Sequence, residues 1–138
     1  MNITERFLNY TKFDTQSNED STSVPSTEKQ LVFANYLKEE LVREGLTDVE
    51  MDDKGYVYAT LKGNTKKHVP TIGFISHYDT SPDCSGKDVK ARIVENYQGG
   101  DIELSPGIVS SPTKFPEINS HIGEDLIVTD GHTLLGAD

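Results

Sequence analysis

The sequence predicts an α/β fold in which helices pack on a mixed sheet, and three patterns indicate it. Apolar residues recur every four positions between Ser26 and Gly45, as on one face of a helix. Residues 49–61 alternate apolar and polar side chains on either side of a turn, which is typical of a hairpin. Residues 69–76 form a nearly continuous apolar run. At 138 residues the chain has the length of one domain.

The first helix is predicted at the start of the chain. Asn2 and Glu5 have the spacing of a capping box, and Ile3, Phe7 and Leu8 then fall on one helical face. Residues 14–25 are polar and have no apolar period, so we expect a loop there.

The second helix has the clearest signals. Ser26 is expected to cap its start, and Gly45 is the residue type that commonly ends a helix. Its apolar positions are Phe33, Leu37 and Leu41. Glu39 and Arg43 lie four residues apart, which favours a solvated ion pair on the exposed face.

The strands are predicted from alternation and from apolar runs. A hairpin should join Val49–Met51 to Tyr56–Leu61 through a turn at residues 52–55. The apolar run Val69–Ser76 suggests a central strand covered on both faces. Residues 84–120 are rich in Gly, Pro, Ser and Asn, which indicates loops and small strands. Another strand is expected at residues 125–130.

Composition excludes several function classes. The formal net charge of −10 opposes binding to nucleic acids and to anionic membrane surfaces. No apolar run approaches the roughly 20 residues that span a bilayer, and Met1–Arg6 has no basic leader pattern. Cys84 is the only cysteine, which suits a reducing compartment. We therefore expect a cytoplasmic protein with no nucleic-acid or membrane partner.

The predicted central strand leads directly into an imidazole and a carboxylate, His77 and Asp79. Positions i and i+2 of a strand share a face, and open α/β sheets place ligands beyond the carboxyl ends of their strands. A neutral imidazole binds zinc through one ring nitrogen while a carboxylate holds the other. The residues alone leave two interpretations open, a metal or catalytic pair and a structural hydrogen bond.

Longer segments carry a more specific signal, because together they resemble the peptidase T family of tripeptide aminopeptidases. The resemblance extends over the whole chain. Its main strings are Gly73–Asp83, Val94–Ile102 and Thr129–Asp138, and shorter ones are Phe7–Tyr10, Asp14–Ser17 and Val24–Glu28.

This resemblance implies a fold and a chemistry. The family belongs to a larger group of hydrolases with two co-catalytic zinc ions, whose α/β catalytic domain carries an inserted lid domain. Residues 1–138 would be the amino-terminal portion of that catalytic domain. By the same resemblance, His77 is a zinc ligand, Asp79 is the active-site carboxylate that steadies it, and Asp138 bridges the two metals. Tripeptides would be the substrates, and the complete enzyme could form a homodimer.

The sequence departs from the family pattern after Asp138. In the family, later segments supply the general-base glutamate and further glutamate, aspartate and histidine ligands, and this sequence contains none of them. His77 and Asp138 alone fall short of the three or four ligands of a zinc site, so we expect the chain by itself to be inactive. The alternatives are a non-catalytic remnant that acts as a binding or assembly partner, and a related metal-dependent deacylase.

The other candidate residues have simpler interpretations. Cys84 has no visible partner that would make it a nucleophile. The remaining histidines and several carboxylates are expected in turns or at the surface; they are His68, His121, His132, Asp52, Asp53 and Asp83.

Overall fold

The computed structural model describes residues 1–136, and it confirms the α/β class. The helices are α1 (Ile3–Tyr10), α2 (Lys29–Arg43) and one 3₁₀ helix (Pro116–His121). The strands are β1 (Thr47–Met51), β2 (Val57–Thr60), β3 (Arg92–Val94), β4 (Ile102–Ser105), β5 (Ile108–Ser110) and β6 (Leu126–Val128). The strands form three antiparallel pairs rather than one mixed sheet: β1 with β2, β3 with β6, and β4 with β5.

The chain divides into two compact units. Residues 15–79 form one unit, which contains α2 and the hairpin of β1 and β2. Residues 1–14 and the chain from Thr80 onward form the other, which contains α1 and the remaining strands.

Helix α1 begins as its sequence predicts. The Asn2 side chain accepts a hydrogen bond from the Glu5 backbone N–H at 2.8 Å, and the Glu5 carboxylate accepts one from the Asn2 N–H at 3.0 Å. This reciprocal pair satisfies two N–H groups that have no partner within the helix.

Helix α2 starts later than expected, because Ser26 does not cap it. The N-cap residue is Glu28, whose side chain makes no capping hydrogen bond. The Ser26 hydroxyl instead accepts hydrogen bonds from the Asn18 N–H at 3.1 Å and from the Gln30 amide at 3.3 Å. The predicted end is confirmed, since Gly45 follows the helix with a φ of +83°.

The core of residues 15–79 lies along one face of α2. Phe33 and Ala34 are buried there, and α2 packs on β1 and β2. Gln30 is also buried, and its amide donates to the Thr15 carbonyl at 3.2 Å. On the opposite face, Glu39 and Arg43 form the predicted exposed ion pair at 3.8 Å. The helix therefore has the amphipathic character that its sequence predicts.

The predicted hairpin is confirmed. Strand β1 pairs with β2 in antiparallel register, with Met51 opposite Val57 and Glu50 opposite Tyr58. Asp52 closes the turn, because its side chain accepts hydrogen bonds from the N–H groups of Lys54 at 3.0 Å and Tyr56 at 2.9 Å. Asp52 is thus a turn carboxylate, as expected.

The prediction of a central strand at Val69–Ser76 is wrong. These residues form no strand, and Phe74 and Ile75 are 93% and 100% exposed. A strand is stable only when a neighbour pairs with its N–H and C=O groups, and no described residue pairs with this segment. The apolar run indicates that these side chains favour burial. It does not provide the neighbouring strand with which the backbone of a central strand must pair.

The unit that includes the second half of the chain is built around short strand pairs. Tyr97 and Ile102 are its buried apolar residues. The Tyr97 N–H donates to the Glu124 carbonyl at 2.8 Å, and the Tyr97 carbonyl accepts from the Gly123 N–H at 2.7 Å. These bonds adjoin the pairing of β3 with β6. The predicted loops and small strands of residues 84–120 are confirmed except at Pro116–His121, which forms the 3₁₀ helix. The strand within residues 125–130 is confirmed.

The two α-helices described here are too short and too polar to cross a lipid bilayer.

Candidate metal site

His77 and Asp79 form the contact that their spacing predicts. The Nδ1 atom of His77 lies 3.1 Å from Asp79 Oδ1 and 3.0 Å from the Asp79 backbone carbonyl oxygen. Both neighbouring oxygens are acceptors, so in the neutral ring this geometry favours the tautomer with the proton on Nδ1 and the lone pair on Nε2. An imidazole prepared in this way can bind a metal ion through Nε2 while a carboxylate holds its other nitrogen.

The pair lies at the surface of residues 15–79. The side chain of His77 is 59% exposed and that of Asp79 is 46% exposed. The contact is therefore accessible to an ion or a ligand from solvent. An exposed hydrogen-bonded pair contributes little to stability, even when both partners are charged, so the pair has little value as a structural bridge.

Tyr78 lies between these two residues and packs inward. Its hydroxyl donates to the Gly55 carbonyl at 3.0 Å, across the turn of the β1–β2 hairpin. Its ring meets Phe33 of α2 edge to face, with ring centroids 5.9 Å apart and an angle of 79° between the planes. These two contacts attach the segment that carries His77 to the hairpin and to α2.

Burial raises the pKa of the Tyr78 hydroxyl, and the nearby carboxylates of Asp79 and Asp52 raise it further. A raised pKa keeps the phenol protonated at neutral pH. The hydroxyl therefore remains a donor to Gly55.

The donor set suits zinc in kind but is incomplete. An imidazole and a carboxylate are ordinary zinc ligands, yet a zinc site needs three or four protein ligands. Within residues 1–136, no three histidine, cysteine, aspartate or glutamate side chains are grouped so that they could hold a metal ion. The predicted bridging residue, Asp138, lies outside the described residues.

Comparison with known proteins gives strong sequence matches along the whole chain. The chain is 56% identical to peptidase T of Caldanaerobacter subterraneus over 138 residues, which cover 99% of the chain and 34% of that protein. It is 57% identical to peptidase T of Clostridium novyi and 56% identical to that of Clostridium acetobutylicum, with the same coverage.

The chain is therefore similar in sequence to proteins named peptidase T. It spans about a third of the length of these relatives, so the match concerns one part of a peptidase T. No family model matches the chain.

The third string that resembles peptidase T, Thr129–Asp138, begins in a tightly bonded loop after β6. The Asp130 side chain accepts hydrogen bonds from the N–H groups of His132 at 2.9 Å and Thr133 at 3.0 Å. It also accepts from the hydroxyls of Thr133 at 3.0 Å and Thr129 at 3.2 Å. These bonds lower the Asp130 pKa to about 2, with the His132 N–H as the largest cause and the bonds from Thr133 and Thr129 as smaller ones.

Further bonds attach the same loop to its neighbours. Thr133 forms a parallel bridge with Ser85, and the Leu134 N–H donates to the Ser85 carbonyl at 2.9 Å. The Ser105 hydroxyl donates to the Asp130 carbonyl at 2.8 Å. The loop at residues 129–134 is therefore held in a defined conformation by these bonds.

The other candidates occupy the simple roles expected of them. His132 is exposed in the turn, and its backbone carbonyl accepts from the Cys84 thiol at 3.2 Å. His121 pairs with Glu124 at 2.9 Å on the surface, and Asp83 accepts from the Ser81 hydroxyl at 2.8 Å. His68 is exposed.

Sequence reasoning missed Tyr78 and Asp130. Tyr78 makes contacts 23 and 45 residues away in the chain, at Gly55 and Phe33, and no local pattern encodes such contacts. Asp130 had a usable signal, because an aspartate followed directly by a glycine is typical of a turn, and an aspartate side chain can bond to the backbone two residues on.

Proposed function

We propose that this chain carries part of the active site of a zinc-dependent aminopeptidase that releases the amino-terminal residue of tripeptides. The observation that carries the proposal is the contact of His77 Nδ1 with Asp79, which favours the tautomer whose lone pair lies on Nε2, the nitrogen that would bind a metal. Homology to peptidase T supports the peptidase assignment. The tripeptide preference follows from the resemblance of the strings around His77 and Asp138 to that family.

Each of the proposed site residues has a distinct task. His77 would bind one of two zinc ions through Nε2. Asp79 would hold the Nδ1 proton, which fixes the ring orientation and makes Nε2 a better ligand. Asp138 would bridge the two ions with its two carboxylate oxygens. Zinc, when bound, would polarise the scissile carbonyl and lower the pKa of a bound water.

We place the complete enzyme in the cytoplasm and expect that it can act as a homodimer. The single cysteine supports a reducing compartment. The charge of −10 supports a small peptide substrate over a nucleic acid.

A second candidate concerns the 138 residues alone, which would be a non-catalytic binding or assembly partner. The observation in its favour is that the part of the chain described here contains no group of three metal-ligating side chains. The two candidates agree that the isolated chain hydrolyses no tripeptide. They differ in what happens when the rest of a peptidase T is supplied.

A chimera tests the proposal. The 138 residues are fused to the part of Caldanaerobacter peptidase T that lies outside the match, and hydrolysis is measured with zinc present. We expect release of the amino-terminal residue from a free tripeptide and no release from its N-acetylated form. Substitution His77→Ala should abolish activity, whereas His68→Ala, at an exposed histidine, should leave it unchanged.

The chimera also separates the alternatives. Hydrolysis of N-acyl amino acids without hydrolysis of tripeptides would identify a deacylase and overturn the proposal. A folded chimera with neither activity would favour the non-catalytic candidate, provided that Caldanaerobacter peptidase T itself is active in the same assay.

A further inference from the structure

We infer that Tyr78 is a positioning residue, which holds His77 and Asp79 in the arrangement that prepares His77 for metal binding. The inference deepens the proposed function and rests on it for its catalytic meaning. The positioning itself is a property of this chain and can be measured without a metal.

The segment before His77 has no regular secondary structure that would fix the position of His77. Residues 69–76 belong to no strand or helix, and their apolar side chains at Ile72, Phe74 and Ile75 are exposed. The position of His77 therefore does not follow from the backbone that leads to it. Contacts made at or after His77 must supply it.

Tyr78, the residue after His77, contacts both the hairpin turn and α2. Its hydroxyl is bonded to the Gly55 carbonyl in the hairpin turn, and its ring packs against Phe33 on α2. The turn is itself held by Asp52, and Phe33 is among the most buried apolar residues of the chain. Tyr78 is thus anchored to the best-packed part of residues 15–79.

Gly55 lies close to the Tyr78 hydroxyl, so a side chain at this position would meet it. A Cβ atom on Gly55 would lie 2.7 Å from the hydroxyl oxygen and 2.9 Å from Leu31 Cδ2. A side chain at Gly55 would therefore displace the Tyr78 hydroxyl or Leu31 from its present position.

The contacts of Tyr78 with Gly55 and Phe33 also restrict the imidazole of His77. Because Tyr78 is covalently between His77 and Asp79, fixing its side chain limits the backbone freedom of both neighbours. His77 Nδ1 then meets two oxygens of Asp79 at 3.0 and 3.1 Å. Releasing Tyr78 would let the two side chains separate and would let the ring proton move to Nε2, which blocks the metal-binding nitrogen.

The test measures the tautomer of His77 in the full 138-residue chain. Nitrogen-15 NMR distinguishes the Nδ1–H and Nε2–H forms of a neutral imidazole, and spectra are recorded at a pH where the ring is neutral. Tyr78→Phe removes the hydrogen bond and keeps the ring, whereas Tyr78→Ala removes both. Tyr58→Phe removes a hydroxyl from an exposed tyrosine and serves as the matched control.

We expect the Nδ1–H form to dominate in the wild type and in Tyr58→Phe. In Tyr78→Phe the ratio of the two tautomers should shift by up to about fivefold toward Nε2–H, and Tyr78→Ala should shift it further. Circular dichroism should show that Tyr78→Phe retains the helix and hairpin signal.

An unchanged His77 tautomer in folded Tyr78→Phe and in Tyr78→Ala would overturn the inference. An equal shift in Tyr58→Phe would do so too, because the effect would then not be specific to the anchor. The result does not depend on zinc, so a chimera that fails to hydrolyse tripeptides would overturn the proposed function while leaving the positioning role of Tyr78 intact.

Discussion

Gly55 shows how a residue without a side chain can support the candidate site. Its φ of +86° lies in the left-handed region that other residues adopt at a cost, and its α-carbon adjoins the Tyr78 hydroxyl and Leu31. Both the conformation and the close approach favour glycine.

Replacing Gly55 by alanine should therefore destabilise residues 15–79. Backbone strain at a positive φ costs about 1–3 kcal/mol, and the close contacts with Tyr78 and Leu31 add to it. Urea denaturation followed by circular dichroism measures the loss. Gly63→Ala is the matched control, because Gly63 has no atom near its Cβ direction. Equal stability of Gly55→Ala and Gly63→Ala would contradict the account.

The sequence predicts the roles of some residues of the site but not of others. His77 and Asp79 are found because a histidine and a carboxylate two positions apart have a known chemical use. Tyr78 is not found, because a tyrosine between them has the same sequence appearance whether it faces solvent or a core. Only the distant partners Phe33 and Gly55 reveal its role.

At the scale of elements, the loop after β6 owes its conformation to a single carboxylate. Asp130 accepts four hydrogen bonds from residues of that loop, which satisfies both backbone N–H groups of His132 and Thr133. An ionised carboxylate accepts such bonds more strongly than a protonated one.

The loop should therefore loosen in acid. The Asp130 pKa is about 2 in the folded chain, below the value of about 3.9 of an unperturbed aspartate. Because this pKa is lowered on folding, the ionised Asp130 carboxylate makes its full contribution to stability above about pH 4. That contribution is lost as the pH falls through about 2. The NMR chemical shifts of the Asp130 carboxyl carbon and of the His132 and Thr133 amides should change over the same pH range. Asp130→Asn should abolish the coupled change in the amides.

The proposed role of Asp130 would be contradicted if its carboxyl carbon titrated near pH 3.9 and the chemical shifts of the His132 and Thr133 amides did not change. Asp125 offers a comparison within the same spectra, because its side chain accepts a single backbone hydrogen bond, from the Asn96 N–H at 2.8 Å.

Predictability at the scale of elements depends on how local the determinants are. The capping box of α1, the period of α2 and the turn of the β1–β2 hairpin each lie within a few residues, so the sequence predicts them correctly. The start of α2 is misplaced because Ser26 is recruited by Asn18 of the preceding loop. The strand at Val69–Ser76 fails because strand formation needs a partner from elsewhere.

At the scale of the whole molecule, the chain should associate through its exposed apolar segment. Ile72, Phe74 and Ile75 are 74%, 93% and 100% exposed in a stretch that also leaves backbone groups without strand pairing among the described residues. Such segments favour association with another chain.

Analytical ultracentrifugation over a range of concentrations tests this expectation. The wild type should self-associate, and the double substitution Phe74→Lys with Ile75→Lys should clearly weaken that association. Val32→Lys with Val42→Lys, at two exposed positions of α2, should have a smaller effect. A monodisperse monomer with a sharp and reversible unfolding transition would contradict the expectation.

The central claim is that His77 binds zinc through an imidazole prepared by Asp79, and the zinc content of the chimera with Caldanaerobacter peptidase T tests it most directly. Zinc per polypeptide is measured by elemental analysis after removal of free metal. We expect two ions in the unsubstituted chimera and in His132→Ala, about one in His77→Ala, and weaker retention in Asp79→Ala. Retention of both ions by a folded His77→Ala chimera would contradict it.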